Sequence, residues 1–213
     1  MPRPLLVLLL LAALTACQAP PAVVPEASGT FTTPVPLDAS AVWTGTVDEC
    51  AAGSTPVERC LHETMQARGA SPAALAAAAQ LAERGEAGHV AAWETVEGVG
   101  VATLEFPFRA NTNQGTWLVD ASGRIIDVDA DALAGAAPAH ADVATFREAH
   151  PDAFPVAPAR ADGREALDGG GVRLVFVTPM RTCRACADAG TLRVGYDFDE
   201  ARRFTGRRVL ALR

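Results

Sequence analysis

Hydrophobic and polar positions fall into three successive patterns along this chain. Residues 5–13 are continuously apolar, residues 57–81 carry apolar side chains at helical spacing, and from residue 89 onward apolar and polar positions alternate. The helical stretch divides in two. Thr55, Pro56 and Glu58 make a helix start: a capping threonine, a proline at the first helical position, and a glutamate placed to close a capping box. Val57, Cys60, Leu61, Thr64 and Met65 then share one face, and Gly69 ends the helix. Ser71 and Pro72 open a second helix in the same way, running through an alanine stretch to Gly85. Its largest apolar residues, Leu75 and Leu81, leave a smooth face suited to close packing.

The alternating stretch reads as strands. Segments 90–96 and 99–106 flank Glu97 and Gly98, a pair suited to a tight hairpin turn. Segments 116–120 and 124–128 flank Ala121, Ser122 and Gly123 and predict a second hairpin. A short helix spans 143–149 and stops at Pro151. Residues 151–171, rich in proline and glycine, read as a long loop or a subdomain boundary. Segments 172–178, 191–198 and 205–212 give three more strands, the last two joined around 199–203. Helices come first, followed by strands, a helix and strands, without the regular alternation of a doubly wound sheet. The predicted fold is therefore α+β: antiparallel sheet of about seven strands, two N-terminal helices and one short intervening helix.

The N-terminus changes the picture of where this domain works. Arg3 precedes the apolar run, which closes at Leu14 and the small residues Thr15, Ala16 and Cys17. A positive start, a short apolar core and a small-residue end are signal-peptide architecture. The run is about half the roughly 20 residues needed to cross a bilayer as a helix. Leu14 to Cys17 resembles the lipobox of bacterial lipoproteins. That resemblance, which covers the first 17 residues, implies cleavage before Cys17 and acylation of its sulfur and new amino group with palmitate-type chains. Each buried methylene would contribute roughly 0.8 kcal/mol to anchoring. Gln18 stands where an aspartate is the familiar inner-membrane retention signal, which favours outer-membrane or outer-surface placement. The domain organisation expected is a signal peptide at 1–16, a lipidated cysteine and proline-rich tether at 17–42, and the α+β domain at 43–213, with the subdomain boundary, if any, at 151–171.

Composition narrows the chemistry. All 18 basic side chains are arginine, so the P-loop lysine, the Schiff-base lysine and a lysine general base are excluded. The tryptophans Trp43, Trp93 and Trp117 and the eight phenylalanines are the expected core markers. Charge is uneven: residues 172–213 hold nine arginines against four acidic groups, a balance of +5 in a chain of −7, leaving −12 on the rest. The basic segment either packs against the acidic part or faces an anionic envelope polymer or protein partner, and Arg202, Arg203, Arg207 and Arg208 are its candidate binding residues. The acidic total argues against a nucleic-acid partner.

Four cysteines remain beyond Cys17, and in an exported protein disulfides are the default. Pairing of near neighbours, Cys50 with Cys60 and Cys183 with Cys186, is the simplest of the three connectivities. The Cys183–Cys186 pair is also the sharpest chemical hypothesis, because Arg181 and Arg184 are placed to stabilise a thiolate. The strand before it gives a superficial likeness to thioredoxin, but that family puts its CxxC at the start of a long helix, whereas here Gly190 and a strand follow within a few residues. His62, His89, His140 and His150 show no zinc-ligand spacing, and Ala187 stands where haem attachment needs histidine, so no metal and no cofactor is expected. Asp127, Asp129 and Asp131 imitate the opening of a calcium loop, but Ala132 and Pro138 replace its glycine and closing glutamate, leaving outward-facing carboxylates at a strand end or, alternatively, a looser calcium site. Glu94, Glu97 and Glu105 read either as an acid and base pair across the hairpin or as solvated strand positions. Beyond the leader, no motif names a reaction. The chain reads as a cell-envelope lipoprotein with a non-catalytic binding or scaffolding domain, the alternative being an extracytoplasmic thiol-disulfide oxidoreductase using Cys183 and Cys186.

Overall fold

Capping chemistry sets the two N-terminal helices. In the computed structural model, which describes residues 37–47, 50, 56–130, 133 and 141–213, these are α1 (Val57–Ala67) and α2 (Pro72–Glu83). The Ser71 hydroxyl accepts a hydrogen bond from the Ala74 amide at 3.0 Å, and Pro72 sits where its missing N–H has no helical partner to lose. Helix α1 starts one residue later than its sequence signals predict, with Pro56 at the cap; Thr55 lies outside the described residues. Leu61 and Met65 form its buried face, and Ala74, Ala77, Ala78 and Leu81 that of α2.

Four strands follow in one antiparallel sheet whose spatial order is the chain order: β1 (His89–Val96), β2 (Val99–Glu105), β3 (Gln114–Val119) and β4 (Ile125–Asp127). Glu97 and Gly98, at φ 51° and 83°, make the two-residue turn between β1 and β2, whose left-handed backbone matches the strand twist. Side chains of a strand alternate between faces, and here both faces are covered. Val99, Val101 and Leu118 enter a core shared with the second sheet, while Ala102, Leu104, Trp117 and Val119 enter a core shared with α2. A bulge between Val90 and Ala92 shifts the parity of β1, so that Val90 and Trp93 both serve the α2 side.

After α3 (Ala141–Ala149) comes a second antiparallel sheet: β5 (Phe154–Pro155), β6 (Arg160–Ala166), β7 (Val172–Arg181), β8 (Gly190–Phe198) and β9 (Phe204–Leu212). Strand β7 pairs with β5 and β6 along one edge and with β8 along the other, and β8 pairs with β9. The fold is α+β and mostly β, with nine strands among the described residues rather than about seven. The additional two come from residues 151–171, expected to be a long loop or a subdomain boundary. Ala159 from this stretch is buried in the same cluster as Leu118, Phe176 and Tyr196, so the segment packs into the inter-sheet core. All described residues belong to one compact unit, Pro34–Arg213.

Polar contacts fasten the sheets to each other, among them those of Tyr196, Asp120 and Arg202. The Tyr196 hydroxyl donates to the Val128 carbonyl at 3.1 Å inside the core. Asp120 accepts from the amides of Ser122 and Arg124 and from the Ser122 hydroxyl in the β3–β4 turn, and with its other oxygen from the Phe204 amide at the start of β9. Burial alone would push its carboxyl up, but these four hydrogen bonds outweigh that and hold it below the usual range. Arg202 donates to the Glu97 carbonyl at the β1–β2 turn and to the Gly170 carbonyl before β7.

Candidate ligand cleft

A cleft of about 650 Å³ opens at one end of the first sheet. Its lining comes from the C-terminal end of α2 (Leu81, Arg84, Glu86), the β2–β3 strands and connection (Leu104 to Trp117), the end of β4, the β5 segment (Phe154 to Ala157) and Arg184 of the β7–β8 loop. Leu81, Leu104, Phe106, Trp117 and Val156, all buried, make an apolar floor. Phe154 stands at the rim, 39% exposed, the exposed large hydrophobic residue among the described ones.

Phe106 keeps its place through two glycines. A Cβ on Gly88 would come within 2.6 Å of its ring, and one on Gly115 within 2.9 Å, so the phenyl fills space that any side chain there would take. Arg109 lies over the Phe106 ring, 3.8 Å from its centroid, and is also ion-paired with Glu86. Arg84 lies over the Trp117 ring at 4.5 Å. Stacking of this kind holds a guanidinium in a set orientation while its N–H edges stay available.

The charged groups of the cleft are engaged unequally. Arg109 and Glu86 neutralise one another. Asp129 accepts from the Thr116 and Ala159 amides, one on each oxygen, both at 2.7 Å. Burial pushes its carboxyl up, and the two amides offset that only in part. Asp127 accepts on one oxygen from the amides of Asp129 and Ala130. Arg84 and Arg184 face no carboxylate at ion-pair distance among the described residues. The rim therefore offers two guanidinium forks against a single half-engaged carboxylate.

The sequence-derived candidates are distributed otherwise. Cys50 is bonded to Cys60 and Cys183 to Cys186. The second bridge closes the β7–β8 loop and leaves Arg184 between its two sulfurs in sequence, at the cleft. Arg181, proposed as a thiolate stabiliser, donates instead to Asp188 at 2.6 Å and to the Arg184 carbonyl at 3.0 Å. Of the basic C-terminal residues, Arg202 is spent on backbone carbonyls, Arg203 pairs with Asp199 at 2.8 Å, and Arg208 pairs with Asp197 at 2.7 Å; Arg207 on β9 is exposed and has contacts of its own. Asp197 is the hub of an outer-face network, since Arg173 also grips it at 2.6 and 3.0 Å. Burial would raise its carboxyl, but Arg173 and Arg208 outweigh burial and hold it below the usual range.

Asp129 corrects the reading of outward-facing carboxylates: it turns inward to cap two amides, while Asp127 is exposed; Asp131, Ala132, Pro138 and His140 lie outside the described residues. Glu105 stands opposite His89 at one end of the first hairpin, Glu97 at the turn on the other end pairs with Arg164 at 3.0 Å, and Glu94 is exposed between them, so no acid and base pair forms. Among the described residues no three His, Cys, Asp or Glu side chains gather where one ion could hold them. Cys17, the leader and most of the tether also lie outside the described residues. Sequence reasoning passed over the cleft, whose available signal was the run Phe106, Pro107, Phe108, Arg109: aromatic residues placed in a connection instead of a strand.

Comparison with protein-family models, curated proteins and solved structures finds no match to this chain.

Proposed function

We propose that this chain is a lipid-anchored cell-envelope protein whose α+β domain is a non-catalytic binding module, with the cleft between α2, the β2–β3 connection and the β5 segment as its binding site. The observation that carries the reading is the pairing, in one cleft, of an apolar floor with stacked arginine: Trp117 and Phe106 beneath Arg84 and Arg109, and Phe154 exposed at the rim. Ligand sites combine a mostly apolar concavity with a few placed polar groups. The leader supports export, the lipobox-like residues Leu14 to Cys17 support the anchor, and the proline-rich residues before the domain support a tether between them. The basic hairpin supports a binding role less well, because its arginines are taken up by carbonyls and carboxylates of the fold.

Two measurements test this. Labelled palmitate is expected to enter the wild-type chain and not the Cys17→Ser variant; equal labelling of both, or of neither, contradicts the anchor. The neutral fluorophore phenylnaphthylamine is expected to brighten on the full chain, and Ala130→Trp, which places an indole on the exposed cleft lining, is expected to remove most of that signal. Unaltered fluorescence with Ala130→Trp would contradict the cleft as the site.

The alternative, disulfide exchange at Cys183 and Cys186, would be supported by thiol-dependent reduction of a test disulfide that Cys183→Ser abolishes. The engagement of Arg181 by Asp188 weighs against it, since one of the two cations placed to lower a thiol pKa is already neutralised.

A further inference from the structure

Resting on the cleft reading above, we infer that its ligand is an anionic amphiphile: a carboxylate or phosphate head held by Arg84 and Arg184, on an apolar body laid against the exposed Phe154 ring. The charges decide the class. Six formally charged side chains line the cleft, three of each sign, and a bare count gives no preference. Their engagement breaks the tie. Arg109 and Glu86 cancel in a direct pair, and Asp129 has both oxygens filled by backbone amides. Among the described residues Asp127 keeps one oxygen without a hydrogen bond, against the two guanidinium groups of Arg84 and Arg184. Guanidinium forks match planar carboxylate and tetrahedral phosphate through paired N–H bonds.

The body of the ligand follows from the rim. Phe154, 39% exposed, and the half-buried Pro155 offer apolar surface to the cleft, while Leu81, Leu104, Phe106 and Trp117 lie buried beneath it, so a compact inorganic ion would leave the Phe154 side in contact with water. Arg84 is held in a set orientation, since its guanidinium lies over the ring of floor residue Trp117. Arg184 approaches from the opposite sheet, on the loop closed by the Cys183–Cys186 bridge.

The experiment is calorimetric titration of the full chain with five probes below their micellar range: dodecanoate, dodecyl phosphate, dodecanol, dodecyltrimethylammonium and inorganic phosphate. At least one of the two anionic amphiphiles is expected to bind about tenfold or more tighter than dodecanol, the difference one charge-assisted hydrogen-bonded contact supplies. The stronger of the two identifies the head. Dodecyltrimethylammonium and inorganic phosphate are expected to bind weakest. Arg84→Gln and Arg184→Gln are each expected to weaken the anionic probe about tenfold and leave dodecanol unchanged, and Arg164→Gln, outside the cleft, to change neither. Arg184 sits on an exposed loop, so its variant keeps the test alive if Arg84→Gln unfolds. Dodecanol binding as tightly as both anions, the cationic probe binding tightest, or inorganic phosphate matching dodecyl phosphate would each overturn the anionic amphiphile. If dodecanol binds and Ala130→Trp blocks it while the anions gain nothing, the cleft reading stands and this inference alone falls.

Discussion

His89 is a buried imidazole whose Nδ1 meets no hydrogen-bond partner among the described residues, with the Trp43 ring edge-on at 4.9 Å and Glu105 3.9 Å from its other nitrogen. Burial lowers its pKa, and the nearby Glu105 offsets this only in part. The unfolded chain therefore takes up the proton first, and the folded state loses stability as pH falls below the unfolded value of about 6.5. His89→Leu is expected to flatten urea-unfolding stability between about pH 7 and pH 5, where the wild type declines; an equal decline in both would contradict it. Asp197 has the opposite sense. Its lowered carboxyl contributes stability above the unfolded pKa of 3.8, and that contribution is lost as pH falls through the folded value. Asp197→Asn is expected to cost about 2–3 kcal/mol at neutral pH by leaving Arg173 and Arg208 without their shared carboxylate. Loss of less than about 0.5 kcal/mol, the range of ordinary surface changes, would place the network outside the stability of the fold. Neither environment was legible in sequence, because His89 and Asp197 sit in alternating strands where a polar residue reads as outward-facing.

At the scale of elements, what was legible had a local cause. Ser71 and Pro72 announce α2 through a cap and a first-turn proline, and Glu97 with Gly98 announce the β1–β2 hairpin through left-handed backbone. Strand β6 gave no such sign. Its residues are Arg, Ala, Asp, Gly, Arg, Glu and Ala, exposed almost throughout, with a bulge at Gly163, so it has no apolar alternation to read. Strand β5 is two residues long and half proline. The basic hairpin was legible as charge, with two readings, packing against the rest of the chain or facing an anionic partner; within the fold Arg202 is a clamp on the β1–β2 turn and the 168–170 turn. Arg202→Ala is expected to lower stability by about 2 kcal/mol in thermal unfolding; an unchanged melting temperature would return it to the class of free surface cations. The two disulfides separate in the same way. On loop entropy, Cys50→Ser with Cys60→Ser is expected to cost about 3 kcal/mol and leave ligand affinity alone. Cys183→Ser with Cys186→Ser is expected to cost about 2 kcal/mol and to weaken dodecanoate or dodecyl phosphate as Arg184→Gln does, since the bridge shapes the loop that carries that arginine.

At the scale of the whole molecule, two sheets share one core, and helices cover the outer face of the first sheet. That arrangement leaves an open end where α2, the β2–β3 connection and the second sheet's β5 segment and β7–β8 loop meet, and the cleft lies there. Its lining runs from Leu81 to Arg184 in sequence, so no local motif could announce it. The fold class was readable because periodicity is local, whereas the site is a product of chain topology. The most direct test of the account compares cleft with hairpin under one anionic probe. In a fluorescence titration with anilinonaphthalene sulfonate, Arg84→Gln with Arg184→Gln is expected to abolish saturable binding by the full chain, and Arg203→Gln with Arg208→Gln to leave it intact. Binding lost from the hairpin variant and retained by the cleft variant would contradict the account.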